Sequence, residues 1–223
     1  DVGLVIFDEF HERSLQCDLS FAMALEVRRA LRNDLRILVM SATLDANEVA
    51  AHMDADVVHA QGRMYPVETN YLGDMSMTEA IRNALSSTDG DILCFLPGEG
   101  ESRRTMETLS SSPLSSRGSC LVLPLYGSLP KEEQDRVFAQ GGQRKVILAT
   151  SIAETSVTIP GITCVIDSGL MRRSRFSPST GMSGLVTLPL TRDRAEQRRG
   201  RAGRVRPGVC YRLWSEADER HRA

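Results

Sequence analysis

The chain has 223 residues, 41% of them hydrophobic and 25% charged, with a formal net charge of −2; that balance fits a globular protein with room for one large domain or two small ones. No apolar run approaches the roughly 20 residues of a membrane helix, and no signal-peptide pattern opens the chain. Cys17, Cys94, Cys120, Cys164 and Cys210 are scattered without CxxC spacing, so a structural zinc site is not expected, and free thiols in a reducing compartment are.

Short apolar runs alternate with helix-like stretches. Leu4–Phe7, Leu35–Met40, Ile92–Leu96, Leu121–Leu125, Val146–Ala149 and Cys164–Ile166 are continuous and aliphatic, the pattern of strands buried on both faces of a parallel sheet. Helices are predicted over 19–32, 46–53, 76–86, 99–110 and 130–139, with Asp45 and Glu48 as a variant capping box and Pro130 as a helix start. The segment 61–66 breaks the rhythm and marks a domain boundary, and Ser110–Ser119 is expected to be a surface loop. Runs around 171–176 and 184–188 flank Ser177–Gly181 and predict a β-hairpin. The fold class is therefore α/β with mainly parallel, doubly wound sheets.

Charge is unevenly spread. Residues 171–206 hold ten arginines against Asp193 and Glu196, a surplus of +8 that leaves −10 for the remainder. Such a block points to a polyanion, although a solvated surface would also explain it.

Four segments carry chemistry. Asp8-Glu9-Phe10-His11 follows the first strand, where ligands bind in open α/β sheets. Asp8 suits Mg²⁺ held through water and Glu9 an attacking water, while an ordinary charged loop reads equally well. Ser41-Ala42-Thr43 follows the second strand and is read at the same sheet edge, with a plain Ser/Thr cap as the alternative. Thr150 to Thr158 offers hydroxyls and amides after another strand, suited to phosphate oxygens or to satisfying its own backbone. On a helix, Gln197, Arg201 and Arg204 share one face and suit a γ-phosphate, whereas Arg198 and Arg199 point elsewhere, to backbone phosphates or to nothing. Gly200 and Gly203 argue against a plain solvated helix there.

Taken in order, DEFH, SAT, LATSIAETSVTI and QRRGRAGR strongly resemble helicase superfamily 2, in the DEAH/RNA-helicase-A group. DEFHERSLQCDL and LCFLPGEGE resemble the bacterial HrpB-type ATP-dependent helicases in particular, over residues 1 to about 214. The resemblance implies a 3′-to-5′ helicase of the bacterial cytoplasm acting on single-stranded nucleic acid, with RNA favoured. It implies two RecA-like domains with ATP and Mg²⁺ in the cleft between them. Residues 1–63 are the C-terminal half of the first domain, 64–214 the second with the hairpin of about 170–188, and 215–223 the start of a following one. Asp8 would hold Mg²⁺; Glu9 and His11 would act on the water, which Gln197 orients; Arg201 and Arg204 would be arginine fingers. Phe138 would stack on the base, although from the residues alone it reads as core. Thr158 and Gly200 complete the nucleotide set, and Ser41 and Thr43 couple hydrolysis to movement. Gly98, Thr150, Arg172, Arg173 and Arg175 would meet nucleic acid.

Two departures stand out. Pro160 replaces an acidic residue that contacts the ribose in many relatives, which loosens the expected nucleotide selectivity. Pro97-Gly98-Glu99 stands where many relatives have Thr-Gly-Gln, so one phosphate contact is lost or passes to backbone amides. A P-loop needs G-x-x-x-x-G-K-[ST], and Lys131 and Lys145 are the only lysines, neither in that pattern. The opening at Asp1 reads as a piece whose upstream part is missing, expected to hydrolyse ATP negligibly by itself. Two other functions fit: a nucleic-acid-binding module without catalysis, and an ATP-driven remodeller that does not unwind.

Overall fold

The computed structural model describes residues 2–41, 46–60, 62, 64–111, 120–154 and 158–222, apart from the side chain of Glu12. Thr43, Asp45 and most of the expected Ser-rich loop lie outside the described residues. The chain divides into two compact units, Asp1–Gly62 and Arg63–Ala223.

In the first unit, β1 (Leu4–Phe7) and β2 (Arg36–Val39) are parallel, with Phe7 opposite Val39. Between them run a 3₁₀ turn (Phe10–Glu12) and α1 (Leu15–Ala30); α2 (Ala46–Met53) follows. Helix α1 starts earlier than the apolar pattern predicts because Ser14 caps it, its hydroxyl accepting the Cys17 N–H at 3.1 Å. Phe7, Phe10 and Phe21 meet edge-on, with centroids 5.0–6.3 Å apart, in the geometry that aromatic quadrupoles favour. Two strands cover little, so Leu4, Ile6 and Leu38 stay exposed, as do Leu15, Leu19, Met23 and Val27, four residues apart along α1.

The second unit is built on a six-stranded sheet, parallel throughout. Its strands are β3 (Val67–Tyr71), β4 (Asp91–Phe95), β5 (Leu121–Leu125), β6 (Lys145–Ala149), β7 (Ile162–Asp167) and β10 (Gly208–Arg212), in spatial order β3-β10-β7-β4-β6-β5. Alternate residues feed two cores. Leu93, Phe95, Ile147 and Ala149 pack on one face with Val137 of α5 (Lys131–Phe138). Ile92, Cys94, Val146 and Leu148 pack on the other with Ile81 of α3 (Met77–Ser87) and Leu109 of α4 (Glu99–Ser110). Sandwiching by helices makes the central strands continuously apolar, which is why they are visible in the sequence.

Strands β3 and β10 were not expected. VETNY and GVCYR interleave polar residues, because β3 is an edge strand and Tyr71 and Arg212 turn toward each other, 3.1 Å apart. The hairpin of β8 (Leu170–Ser177) and β9 (Met182–Pro189) forms a separate antiparallel ladder with Ser174 opposite Leu185. It leads into α6 (Arg192–Gly200), a 3₁₀ turn (Arg201–Gly203), β10 and the short α7 (Glu216–Glu219). Among the described residues no helix is long and apolar enough to cross a membrane.

Candidate active site

In the first unit, Asp8 and Glu9 follow β1 directly. The Asp8 Oδ1 accepts the Glu9 N–H at 2.8 Å, which fixes the carboxylate at the strand end. Glu9 itself adopts φ 51° and ψ 37°, a left-handed conformation that costs a side-chain-bearing residue on the order of 1–2 kcal/mol. Strain of that kind concentrates at working sites. The chain is held there by buried Phe10, whose N–H bonds the Met40 carbonyl at 3.0 Å. That bond brings the loop beside the end of β2, next to Ser41. His11 turns back, its Nε2 3.3 Å from the Glu9 carboxylate. Asp8 is exposed and contributes a single carboxylate, which suits Mg²⁺ that arrives with phosphates rather than a fully protein-ligated metal. Among the described residues no group of three or more His, Cys, Asp or Glu could hold a metal ion.

In the second unit, Gly98, Thr150 and Asp167 stand at the carboxyl ends of adjacent strands β4, β6 and β7. Gly98 begins α4 without a side-chain cap, so the first-turn amides and the positive end of the helix dipole are open there. A side chain at Gly98 would collide with Arg172 of the hairpin. The acids in that turn are compensated: Glu99 pairs with Arg103 at 2.5 Å, and Glu101 with Arg104 at 3.0 Å and Arg172 at 2.9 Å. Thr150 donates its N–H to the Leu125 carbonyl at 3.1 Å, at the end of β5.

Helix α6 ends at Gly200 and tightens into a 3₁₀ turn, in which residues three apart lie one above the other, so Arg201 and Arg204 reach the same segment after β6 and differ in burial. Arg201 is buried and donates to the Glu154 carbonyl, Gln197 is half-buried, and Arg204 is exposed and donates to the Thr158 hydroxyl. The tight turn needs Gly203, because a Cβ there would strike the Tyr65 carbonyl and Val67. Gly200 lies against Met64. Phe138 is half-buried against the core at the end of α5. Lys145 is buried and caps that helix, its Nζ donating to the carbonyls of Val137, at 3.0 Å, and of Ala139.

The arginine block is less available than its count suggests. Arg198, expected to meet backbone phosphates or nothing, is instead fully buried between Glu154 and Asp167. Burial works against its charge, but the two carboxylates more than offset that and hold its pKa above the ordinary arginine value. Arg194 pairs with Glu154 at 2.7 Å and Arg199 with Glu196 at 2.7 Å. Arg173, Arg175 and Arg192 are exposed and make no ion pair among the described residues. Sequence reasoning missed Glu154 and Asp167 as partners of Arg198, because they stand 44 and 31 residues from it in the chain.

Residues 76–206 match the helicase conserved C-terminal domain family. The chain belongs to that family. The chain is 45% identical over 222 residues to the ATP-dependent RNA helicase HrpB of Escherichia coli, covering 95% of the chain and 27% of that protein. It is 40% identical to the pre-mRNA-splicing factor ATP-dependent RNA helicase prp22 of Schizosaccharomyces pombe, covering 98% of the chain and 20% of that protein. The crystal structure of the Escherichia coli DEAH/RHA helicase HrpB superposes with a TM-score of 0.89 at 43% identity, over 100% of the chain and 29% of that structure. The chain thus spans about a quarter of the length of HrpB. The matched helicase domain contains Gly98, Phe138, Thr150, Thr158, the hairpin and Gln197–Arg204, whereas Asp8 and Glu9 lie ahead of it.

Proposed function

We propose that the chain is the water-activating and arginine-finger portion of a 3′-to-5′ ATP-dependent RNA helicase of the HrpB type. The observation that carries this reading is the anchoring of both candidate fingers on the segment after β6: Arg201 on the Glu154 carbonyl and Arg204 on the Thr158 hydroxyl. A pure binding module has no use for a buried guanidinium held at the end of a helix.

In this reading Glu9 takes the proton of the attacking water, His11 steadies the Glu9 carboxylate and Gln197 orients the water. Asp8 would hold Mg²⁺ through water, and the ion would help neutralise charge on the phosphates. Arg201 and Arg204 stabilise charge developing on the transferred phosphoryl group, an effect worth on the order of 10³–10⁵ in rate. Phe138 stacks on the base, Thr158 and Gly200 line the nucleotide, and Ser41 and Thr43 couple hydrolysis to movement. Gly98 with the open amides of α4, Thr150, and the hairpin arginines Arg172, Arg173 and Arg175 meet the RNA backbone. Residues 1–63 form the C-terminal half of one RecA-like domain and 64–214 a second. The setting is the bacterial cytoplasm.

Strand displacement by the full-length protein tests the reading. Duplex RNA with a 3′ overhang is unwound with ATP, and a 5′ overhang is not. ATP hydrolysis without displacement would favour a remodeller, and binding indifferent to ATP analogues would favour a binding module.

A further inference from the structure

Buried charges outside the proposed hydrolytic site converge at the end of β7. Glu154, Asp167 and Arg198 are each at most 2% exposed. Arg198 donates from Nε to Glu154 Oε1 at 2.8 Å, from Nη1 to Asp167 Oδ1 at 2.7 Å and to the Leu170 carbonyl at 3.2 Å. Its guanidinium lies over the Phe95 ring, 4.7 Å from the centroid. Arg194 closes the other Glu154 oxygen at 2.7 Å, and Asp167 Oδ1 also accepts the Gly169 N–H at 2.9 Å. Two carboxylates thus face two guanidiniums, and the cluster is neutral.

Four elements converge on this cluster: the turn after β6 that carries Thr150, the end of β7, the first residue of the hairpin, and α6. The same Glu154 whose carboxylate grips Arg198 accepts Arg201 on its main-chain carbonyl. Arg201 is therefore seated on a residue that is itself clamped from the side.

We propose that Glu154 and Arg198 are positioning residues for Arg201, forming a buried ion relay between the Thr150 turn, the root of the hairpin and the arginine finger. The proposal rests on the reading of Arg201 as a finger. Stability alone is a weak reason for such a cluster, because buried ion pairs roughly break even against apolar side chains of the same volume. A planar guanidinium bridging three acceptors instead fixes direction, and a displacement of about 1 Å in a catalytic group can cost about a hundredfold in rate. Through the Leu170 carbonyl the first residue of the hairpin shares the clamp, and Asp167 at the end of β7 completes it.

The test is Arg198→Lys in the full-length protein, read by RNA-stimulated ATP hydrolysis. Lysine keeps the charge balance but cannot bridge three acceptors in one plane. The relay predicts a kcat lower by roughly tenfold or more with KM for ATP within about twofold and RNA affinity unchanged, in protein that is still folded at the assay temperature although its thermal midpoint falls, because a buried ion cluster loses hydrogen bonds. Glu154→Gln should show the same split. A folded Arg198→Lys protein with wild-type kcat would overturn the relay while leaving the helicase reading intact. If Arg198→Lys does not fold, Arg194→Gln decides: lowered kcat at constant KM supports the relay, and wild-type kcat overturns it. Wild-type protein that hydrolyses no ATP would sink the helicase reading and the relay with it.

Discussion

The Nε2 of His11 sits 3.3 Å from the Glu9 carboxylate, and Glu9 carries the left-handed backbone that makes this approach possible. The 3₁₀ turn at Phe10–Glu12 folds the histidine back on the acid instead of letting it run outward. Buried Phe10 holds the turn against Phe7 and Phe21.

The role given to Glu9 is therefore separable from its fold. Glu9→Gln keeps the side-chain shape and removes the base; turnover in the full-length protein should fall by roughly 10²–10⁴, with RNA affinity retained. Glu9→Gly relieves the left-handed strain and should fold at least as well while remaining equally inactive. Calorimetry alongside the kinetics distinguishes the cases. Loss of folding in Glu9→Gln would mark the residue as structural.

Arg172, Arg173 and Arg175 are expected to differ in their contributions to RNA binding. Along β8, Arg173 and Arg175 share one face and Arg172 lies on the other, where it shares the Glu101 carboxylate with Arg104 at 2.9 Å and 3.0 Å. Replacing Arg173 or Arg175 by Gln should lower the salt dependence of RNA binding by about one phosphate contact each. Arg172→Gln should lower it less. Binding isotherms over a range of salt concentrations measure all three, and an equal slope change for Arg172 would contradict the pairing.

Thiol reactivity reports on the sheet. Burial pushes Cys164 up to about 12 and lifts Cys94 and Cys210 as well. A raised pKa leaves almost no thiolate at pH 8, and the thiolate is the nucleophile. Native alkylation should label half-buried Cys17 first and Cys120 more slowly, because burial also raises Cys120. Cys94, Cys164 and Cys210 should label only on unfolding. Mass spectrometry of peptides after timed alkylation checks the order.

Much of the fold was legible because burial on both faces writes continuous apolar runs, as in β4, β6 and β7; Leu4–Phe7, Leu121–Leu125 and the helix 46–53 also fall where the sequence places them. The edge strand Val67–Tyr71 and its neighbour Gly208–Arg212 were not legible, since polar side chains there meet one another rather than a core. At the candidate site, the carboxylates after β1 and the arginines after α6 were visible from spacing. The end of the helix at Gly200 was not. Nor was the burial of Arg198, because a run of arginines looks the same whether its acids lie nearby in space or not. Glu154 and Asp167 are 44 and 31 residues away in the chain.

The central claim is that Arg201 and Arg204 serve phosphoryl transfer. Single-turnover ATP hydrolysis by the full-length protein, with RNA present, measures it most directly. Arg201→Ala and Arg204→Ala should each slow the chemical step by roughly 10³ or more, with affinity for a non-hydrolysable ATP analogue changed only severalfold; the thermal midpoint should hold for exposed Arg204 and fall for buried Arg201, whose loss takes a donor from the Glu154 carbonyl. Folded variants that hydrolyse ATP at the wild-type rate would contradict the account.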